Sequence, residues 1–234
     1  MSPKHYIFFD VDDTLIRWNV SWAEAYAEAA RLGGVDVSPA QCDQALTIAF
    51  DTFYKDCLRE HSAAGEERAF WRDYDTRILR SLGVTNDLAA ASDHLIRVFG
   101  QTEAVSLYPE VTGVLDLLSG KGARLGIVTG RPRAEPHLGQ LGVSHYFHPV
   151  IDAFSVGSDK REGHMFQVAA EAADQAGLTA WHVGDNYELD VLGARRVGLR
   201  PVLVDRKGEH PDADCPRIDT LRELPAVLAA ADQE

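Results

Sequence analysis

Residues Tyr6-Ile7-Phe8-Phe9-Asp10-Val11-Asp12-Asp13-Thr14-Leu15 run four apolar side chains directly into a cluster of carboxylates. An apolar run this short, cut off by charge, predicts a strand buried on both faces and excludes a signal h-region or a membrane span at this point. Burying carboxylates at its end is expensive unless something offsets them. Asp10 and Asp12 are two positions apart, so while the backbone stays extended their side chains share one side. Two converging carboxylates can share a divalent metal or divide into nucleophile and proton donor. The other reading of the same residues is an acidic turn that caps a loop.

Working outward, four further apolar runs read as buried strands: Ala123-Arg-Leu-Gly-Ile-Val128, Pro149-Val-Ile151, Trp181-His-Val183 and Pro201-Val-Leu-Val204. Helical patterns alternate with them over roughly 109–119, 133–141, 162–176 and 188–197, and Asp219 or Thr220 is placed to cap a last helix ending near Ala231. Strand and helix in alternation predict a doubly wound parallel sheet, a Rossmann-like α/β core. Residues 16–105 break the rhythm with four helical patterns at roughly 20–32, 39–60, 66–81 and 87–100. Gly33-Gly34, Ser62–Gly65 and Gly83–Asn86 carry the turn chemistry between them. The expected organisation is therefore a core of residues 1–15 and 106–234 with an all-helical cap at 16–105. An insert there is expected over the carboxyl ends of the strands, where such sheets bind ligands. Trp18, Trp22 and Trp71 within it are candidates either for substrate recognition or for packing.

With 23 Lys+Arg against 36 Asp+Glu the 234-residue chain carries a formal charge of −13, and its 45% hydrophobic and 25% charged residues describe an ordinary soluble domain. The scattered basic residues argue against a nucleic-acid polymer as partner, and no stretch reaches a membrane span. Cys42, Cys57 and Cys215 show no zinc-type spacing and cannot all pair, which fits a reducing cytoplasm, and the lack of a signal h-region makes an unprocessed chain the expectation. No Gly-x-Ser-x-Gly elbow occurs, Gly120-Lys121-Gly122 lacks the upstream glycine of a P-loop, and the nine histidines offer no pair on a helix face with a third ligand.

Three more segments carry chemistry. Thr129-Gly130-Arg131-Pro132 ends an apolar strand before a helix, where free amides and a hydroxyl suit a phosphate, though the same residues make ordinary turns. Arg131 there faces either ligand or solvent. Lys160 precedes a helical stripe and offers a point charge to a phosphoryl oxygen or to the acidic cluster, or else is a solvated lysine. His182-Val183-Gly184-Asp185-Asn186-Tyr187-Glu188-Leu189-Asp190 again sets carboxylates after a strand; hard oxygen ligands of this kind select magnesium, unless the aspartate merely caps a helix.

Asp10-x-Asp12-x-Thr14, Thr129-Gly130, Lys160 with Phe166 six residues on, and Gly184-Asp185 with Asp190 and Gly193-Ala194 together resemble the four ordered motifs of the haloacid dehalogenase superfamily. The helical insert is similar to that family's cap placed after the first motif. Two departures are Lys160-Arg161 in place of the usual Lys-Pro, and Leu189 where an Asn often stands. The resemblance implies that Asp10 is the nucleophile that forms an aspartyl-phosphate and Asp12 the general acid and base. It implies Mg2+ held by Asp10, the Asp12 carbonyl and Asp185, with Asp190 as a ligand through water or a partner of Lys160. Thr129, Gly130, Arg131 and Lys160 are the expected phosphoryl-binding residues. Relatives that are dehalogenases lack a carboxylate two positions after the nucleophile. Its presence here implies a phosphatase or a phosphomutase, and the expected protein is a phosphatase acting on a small phosphorylated metabolite, a monomer or homodimer. A phosphomutase, or an idle metal-binding regulatory protein on the same fold, is the rival.

Overall fold

The computed structural model describes residues 5–233. The chain divides into two compact units, one of residues 1–17 and 107–234, the other of residues 18–106. In the first, β1 (His5–Phe9) is followed by β2 (Ile16–Trp18), which leads into the second unit.

The second unit is helical. It contains α1 (Trp22–Leu32), α2 (Pro39–Thr52), α3 (Tyr54–Ser62), α4 (Glu67–Ser81) and α5 (Leu88–Phe99), and the chain leaves it through β3 (Val105–Leu107), which pairs with β2. Local chemistry sets the helix starts. Ser21 accepts from the Glu24 amide at 3.2 Å, and Ser38 with Gln41 forms a reciprocal capping box behind Pro39. The single helical pattern expected over 39–60 is two helices, because the backbone breaks at Phe53, whose φ/ψ of −130°/−2° is not helical. Trp18, Trp22 and Phe99 cluster edge-on and stacked, with ring centroids 4.3–5.5 Å apart, and Trp71 lies edge-on to Phe70. Those geometries are the ones aromatic packing favours.

The first unit continues with α6 (Val111–Gly120), β4 (Arg124–Thr129), α7 (Ala134–Gln140), β5 (Phe147–Asp152), the one-turn α8 (Ala153–Val156) and α9 (His164–Ala176). It ends with β6 (Thr179–Gly184), α10 (Leu192–Arg196), β7 (Arg200–Val204), β8 (Arg217–Ile218) and α11 (Leu224–Ala231). The sheet is parallel, in the order β5-β4-β1-β6-β7-β8, so the doubly wound α/β core is as expected. The two-residue β8 and the strands β2 and β3 are additions that no apolar run announced. Ile7, Phe8 and Phe9 are wholly buried, each worth roughly 1.5–3 kcal/mol of transfer free energy. The sheet order reverses at β1, with β4 on one side and β6 on the other. In sheets of this kind the crevice that takes a ligand lies at such a switch point, at the carboxyl ends of the strands.

Candidate active site

Asp10 continues β1 by one ladder bond, its amide donating to the Val183 carbonyl at 2.9 Å, which fixes it beside the end of β6. Its carboxylate is buried and accepts from Lys160 Nζ. Lys160 is equally buried, in a short 3₁₀ turn at Lys160–Glu162 ahead of α9, and its ammonium also donates to Asp190 Oδ1 at 2.6 Å. That turn forms because Asp159 accepts from the Arg161 amide at 2.9 Å. The helix expected from residue 162 starts at His164.

Asp190 reaches the crevice through a π-helical turn, Tyr187–Val191, opened by Asn186, whose side chain accepts from the Leu189 amide at 2.9 Å. The turn lets Asp190 Oδ2 accept from the Asn186 amide at 3.1 Å, while His182 Nε2 meets Asp190 Oδ1 at 2.8 Å. His182 Nδ1 is buried with no partner among the described residues and burial holds the ring below the usual histidine range, so Nε2 carries the proton and donates. A Cβ on Gly184 would lie 2.3 Å from Asp190 Cγ, and one on Gly193 2.4 Å from the Phe166 ring, so both glycines are where side chains leave no room.

Asp10, Asp185 and Asp190 each present an oxygen within 4.8 Å of the others. Asp185 accepts from the Thr14 hydroxyl at 3.4 Å. Burial, with the Asp190 charge, pushes it up to about 7. Burial also raises Asp10 well above its usual range, Lys160 pulling the other way, whereas for Asp190 the Lys160 and His182 contacts overcome burial and hold it low. One ammonium against three clustered carboxylates leaves a buried excess of negative charge. A hard divalent cation fits that donor set.

Asp12 accepts from Arg131 NH1 at 2.8 Å, and Arg131, with a side chain only 7% exposed, lies inward and not in solvent. Thr129 is buried at the end of β4, and its hydroxyl accepts from the Arg131 amide at 3.2 Å. The structure thus gathers the sequence candidates into two linked groups. One is Asp10, Lys160, Asp190 and Asp185; the other is Asp12, Arg131 and Thr129, with Gly130 between Thr129 and Arg131. His182, which holds Asp190, was not among the candidates. Its signal was its place as an inward polar residue two positions before Gly184.

The profile of haloacid dehalogenase-like hydrolases matches residues 5–198. Human haloacid dehalogenase-like hydrolase domain-containing protein 3 is 30% identical over 200 residues, 84% of this chain and 80% of that protein. A glyceraldehyde 3-phosphate phosphatase of Methanopyrus kandleri is 28% identical over 219 residues, 91% of this chain and 88% of that one. Among solved structures, a phosphatase of the same superfamily from Thermococcus onnurineus superposes with a TM-score of 0.65 at 23% identity, covering 96% of this chain and 97% of that one. The chain belongs to the haloacid dehalogenase-like hydrolases.

Proposed function

We propose that this hydrolase is a magnesium-dependent phosphatase that cleaves a small phosphorylated metabolite through an aspartyl-phosphate on Asp10. The observation that carries it is the pair of carboxylates after β1 in unlike settings: Asp10 is buried on Lys160, and Asp12, more open, is held by Arg131. A nucleophile and a proton carrier need that difference. Asp10, the Asp12 carbonyl and Asp185 would hold Mg2+, with Asp190 acting through water or through Lys160; the ion, when bound, offsets the charge of the phosphoryl group.

Asp10 attacks phosphorus as the ester oxygen leaves, and Asp12 gives that oxygen its proton. Asp12 then takes a proton from the water that hydrolyses the aspartyl-phosphate, returning Asp10 to its starting state. Lys160, Thr129, the Gly130 backbone and Arg131 hold the phosphoryl oxygens, Arg131 leaving Asp12 partly free when an anion competes for it. In this reading residues 1–15 and 106–234 perform the chemistry and residues 16–105 form a cap that selects the substrate. The M. kandleri relative's name supports a metabolite of triose size. The three free cysteines and the lack, among the described residues, of any helix long and apolar enough to cross a membrane support action in the cytoplasm.

Phosphate release across a panel of sugar, nucleoside and short-chain phosphates, with and without Mg2+, tests the activity. Asp12→Ala tests the mechanism. It should form the aspartyl-phosphate from an activated aryl ester yet hydrolyse it about 10²- to 10⁴-fold more slowly, so that phosphorylated protein accumulates by intact mass after rapid quench. Wild-type turnover of the aryl ester by that variant, with no trapped phosphoenzyme, would leave Asp12 neither acid nor base.

A further inference from the structure

Immediately after the two aspartates the backbone folds back on itself. Asp13 sits at φ +55°, a left-handed conformation that side-chain-bearing residues rarely adopt. The turn is closed by the Leu15 and Ile16 amides, which both donate to the Val11 carbonyl at 2.9 and 3.0 Å. The carbonyls of Asp13 and Thr14 accept from a single distant side chain. Arg206 Nε donates to Asp13 O at 3.3 Å and its NH2 to Thr14 O at 2.9 Å.

That guanidinium is itself held on two other sides. Its NH1 donates to Glu110 Oε1 at 2.8 Å, and the same oxygen accepts from Thr220 Oγ1 at 3.0 Å. Its central carbon lies 3.6 Å from the centre of the Tyr108 ring. The side chains of Arg206 and Glu110 are only 16% and 7% exposed. Burial works against the Glu110 charge, yet the Arg206 hydrogen bond, with the guanidinium's charge, holds its carboxyl below the usual range.

We infer that Arg206 is a positioning residue for the reaction: it clamps the Asp13–Thr14 backbone and so fixes where the Asp12 carbonyl and the Thr14 hydroxyl point. The link is covalent geometry. The Asp12 carbonyl lies in one rigid plane with the Asp13 amide, so its direction follows the Asp13 φ angle. Thr14, whose carbonyl is clamped, is the residue whose hydroxyl reaches Asp185 at 3.4 Å. A lysine cannot do the same work, because one ammonium has no planar fork that spans two carbonyls and a carboxylate while lying on a ring. Arg206 stands two residues beyond β7, at the carboxyl ends of the strands with the other site residues.

The kinetic part of this inference rests on the phosphatase reading, and its backbone part does not. Arg206→Ala and Arg206→Lys in the full chain are compared with wild type by hydrogen–deuterium exchange of peptides spanning residues 10–17 and by Mg2+-supported hydrolysis of an aryl phosphate below the melting transition. Both variants should exchange faster at residues 13–16 with α9 unchanged, and kcat should fall about 10- to 100-fold while KM moves less than about two-fold. Millimolar guanidinium should restore part of the Arg206→Ala rate, which a general loss of stability would not allow. If Arg206→Ala does not fold, Arg206→Lys alone decides. Unchanged exchange overturns the inference, and so does faster exchange with kcat within two-fold of wild type. Should wild type hydrolyse no phosphate ester, the functional reading fails, and the exchange result alone then upholds or removes the clamp.

Discussion

Two groups of metal-ligand-type side chains lie in different units of this molecule. Asp10, Asp185 and Asp190 meet at strand ends, and Glu60, His61 and Asp73 meet on α3 and α4, with ligand-capable atoms within 4.8 Å of one another in each group. Each could offer three ligand atoms to a metal ion, although the helical group has a histidine in place of a third carboxylate. In the helical group, however, Arg77 forks onto Asp73 at 2.8 and 3.1 Å and onto Glu60 at 2.9 Å, and His61 stands 3.4 Å from Asp73. Partial burial works against Asp73, yet that fork keeps it below the usual carboxylate range. The adjacent Cys57 thiol is pushed up to about 12, by burial and by Asp73, so it offers no thiolate. The strand-end group has one ammonium for three carboxylates and far less water. Proximity of acidic residues therefore does not define a cation site; buried charge without compensation does.

The largest expected effect falls on the strand-end group. Asp10→Asn keeps the shape and loses the nucleophilic charge, so phosphate release should drop by at least about 10³-fold with the melting transition retained. Residual activity of more than a few per cent would break the covalent reading. Next, Asp185→Ala should raise the Mg2+ concentration for half-maximal rate by about 10- to 100-fold, whereas Asp73→Asn should leave it unchanged. An equal shift in both would erase the distinction between the groups.

A third test uses Asp75, a single buried carboxylate in the helical unit that accepts from the Tyr26 hydroxyl at 2.6 Å. Burial pushes it up to about 7, against the Tyr26 bond. Its folded pKa is above the unfolded value of about 3.9, so the folded state holds the proton longer and stability falls as pH rises from about 4 to 7. Asp75→Asn should melt a few degrees higher than wild type at pH 8 and show a smaller gain at pH 5. A gain independent of pH would mean that packing, not charge, separates the two. Smallest is Arg77→Ala, which should cost less than about 1 kcal/mol by denaturant unfolding and leave the rate unchanged.

Much of this was legible in the sequence, because the signals were local. The apolar runs and their helical alternation gave the doubly wound sheet, and Asp10 with Asp12 stood out since charge so close to a buried run demands compensation. Partners were not legible. Asp152 also ends a strand, but it caps α8 through the Ser155 amide at 2.7 Å and accepts from the Ala134 amide at 3.3 Å, spending its carboxylate on the backbone. Only the absence of a second carboxylate two positions on separates it from Asp10 in the sequence, and that says nothing of which amides it would accept from. The inward turn of Arg131 and the reach of Arg206 to residues 13 and 14 depend likewise on side-chain paths that span the chain. The π-helical turn at 187–191 reads as plain helix in the sequence because its extra residue per turn leaves the apolar spacing almost intact.

The place of β1 in the sheet has a consequence for synthesis. Its ladder partners begin at Arg124 on one side and Thr179 on the other, so Tyr6–Phe9 leave the ribosome long before either exists. At about 5–20 residues per second, roughly 120 residues of delay expose four consecutive apolar side chains for about 6–24 s, and the second neighbour arrives later still. Helices α1 to α5 can complete their mutual contacts in that interval, while the strand that carries Asp10 waits.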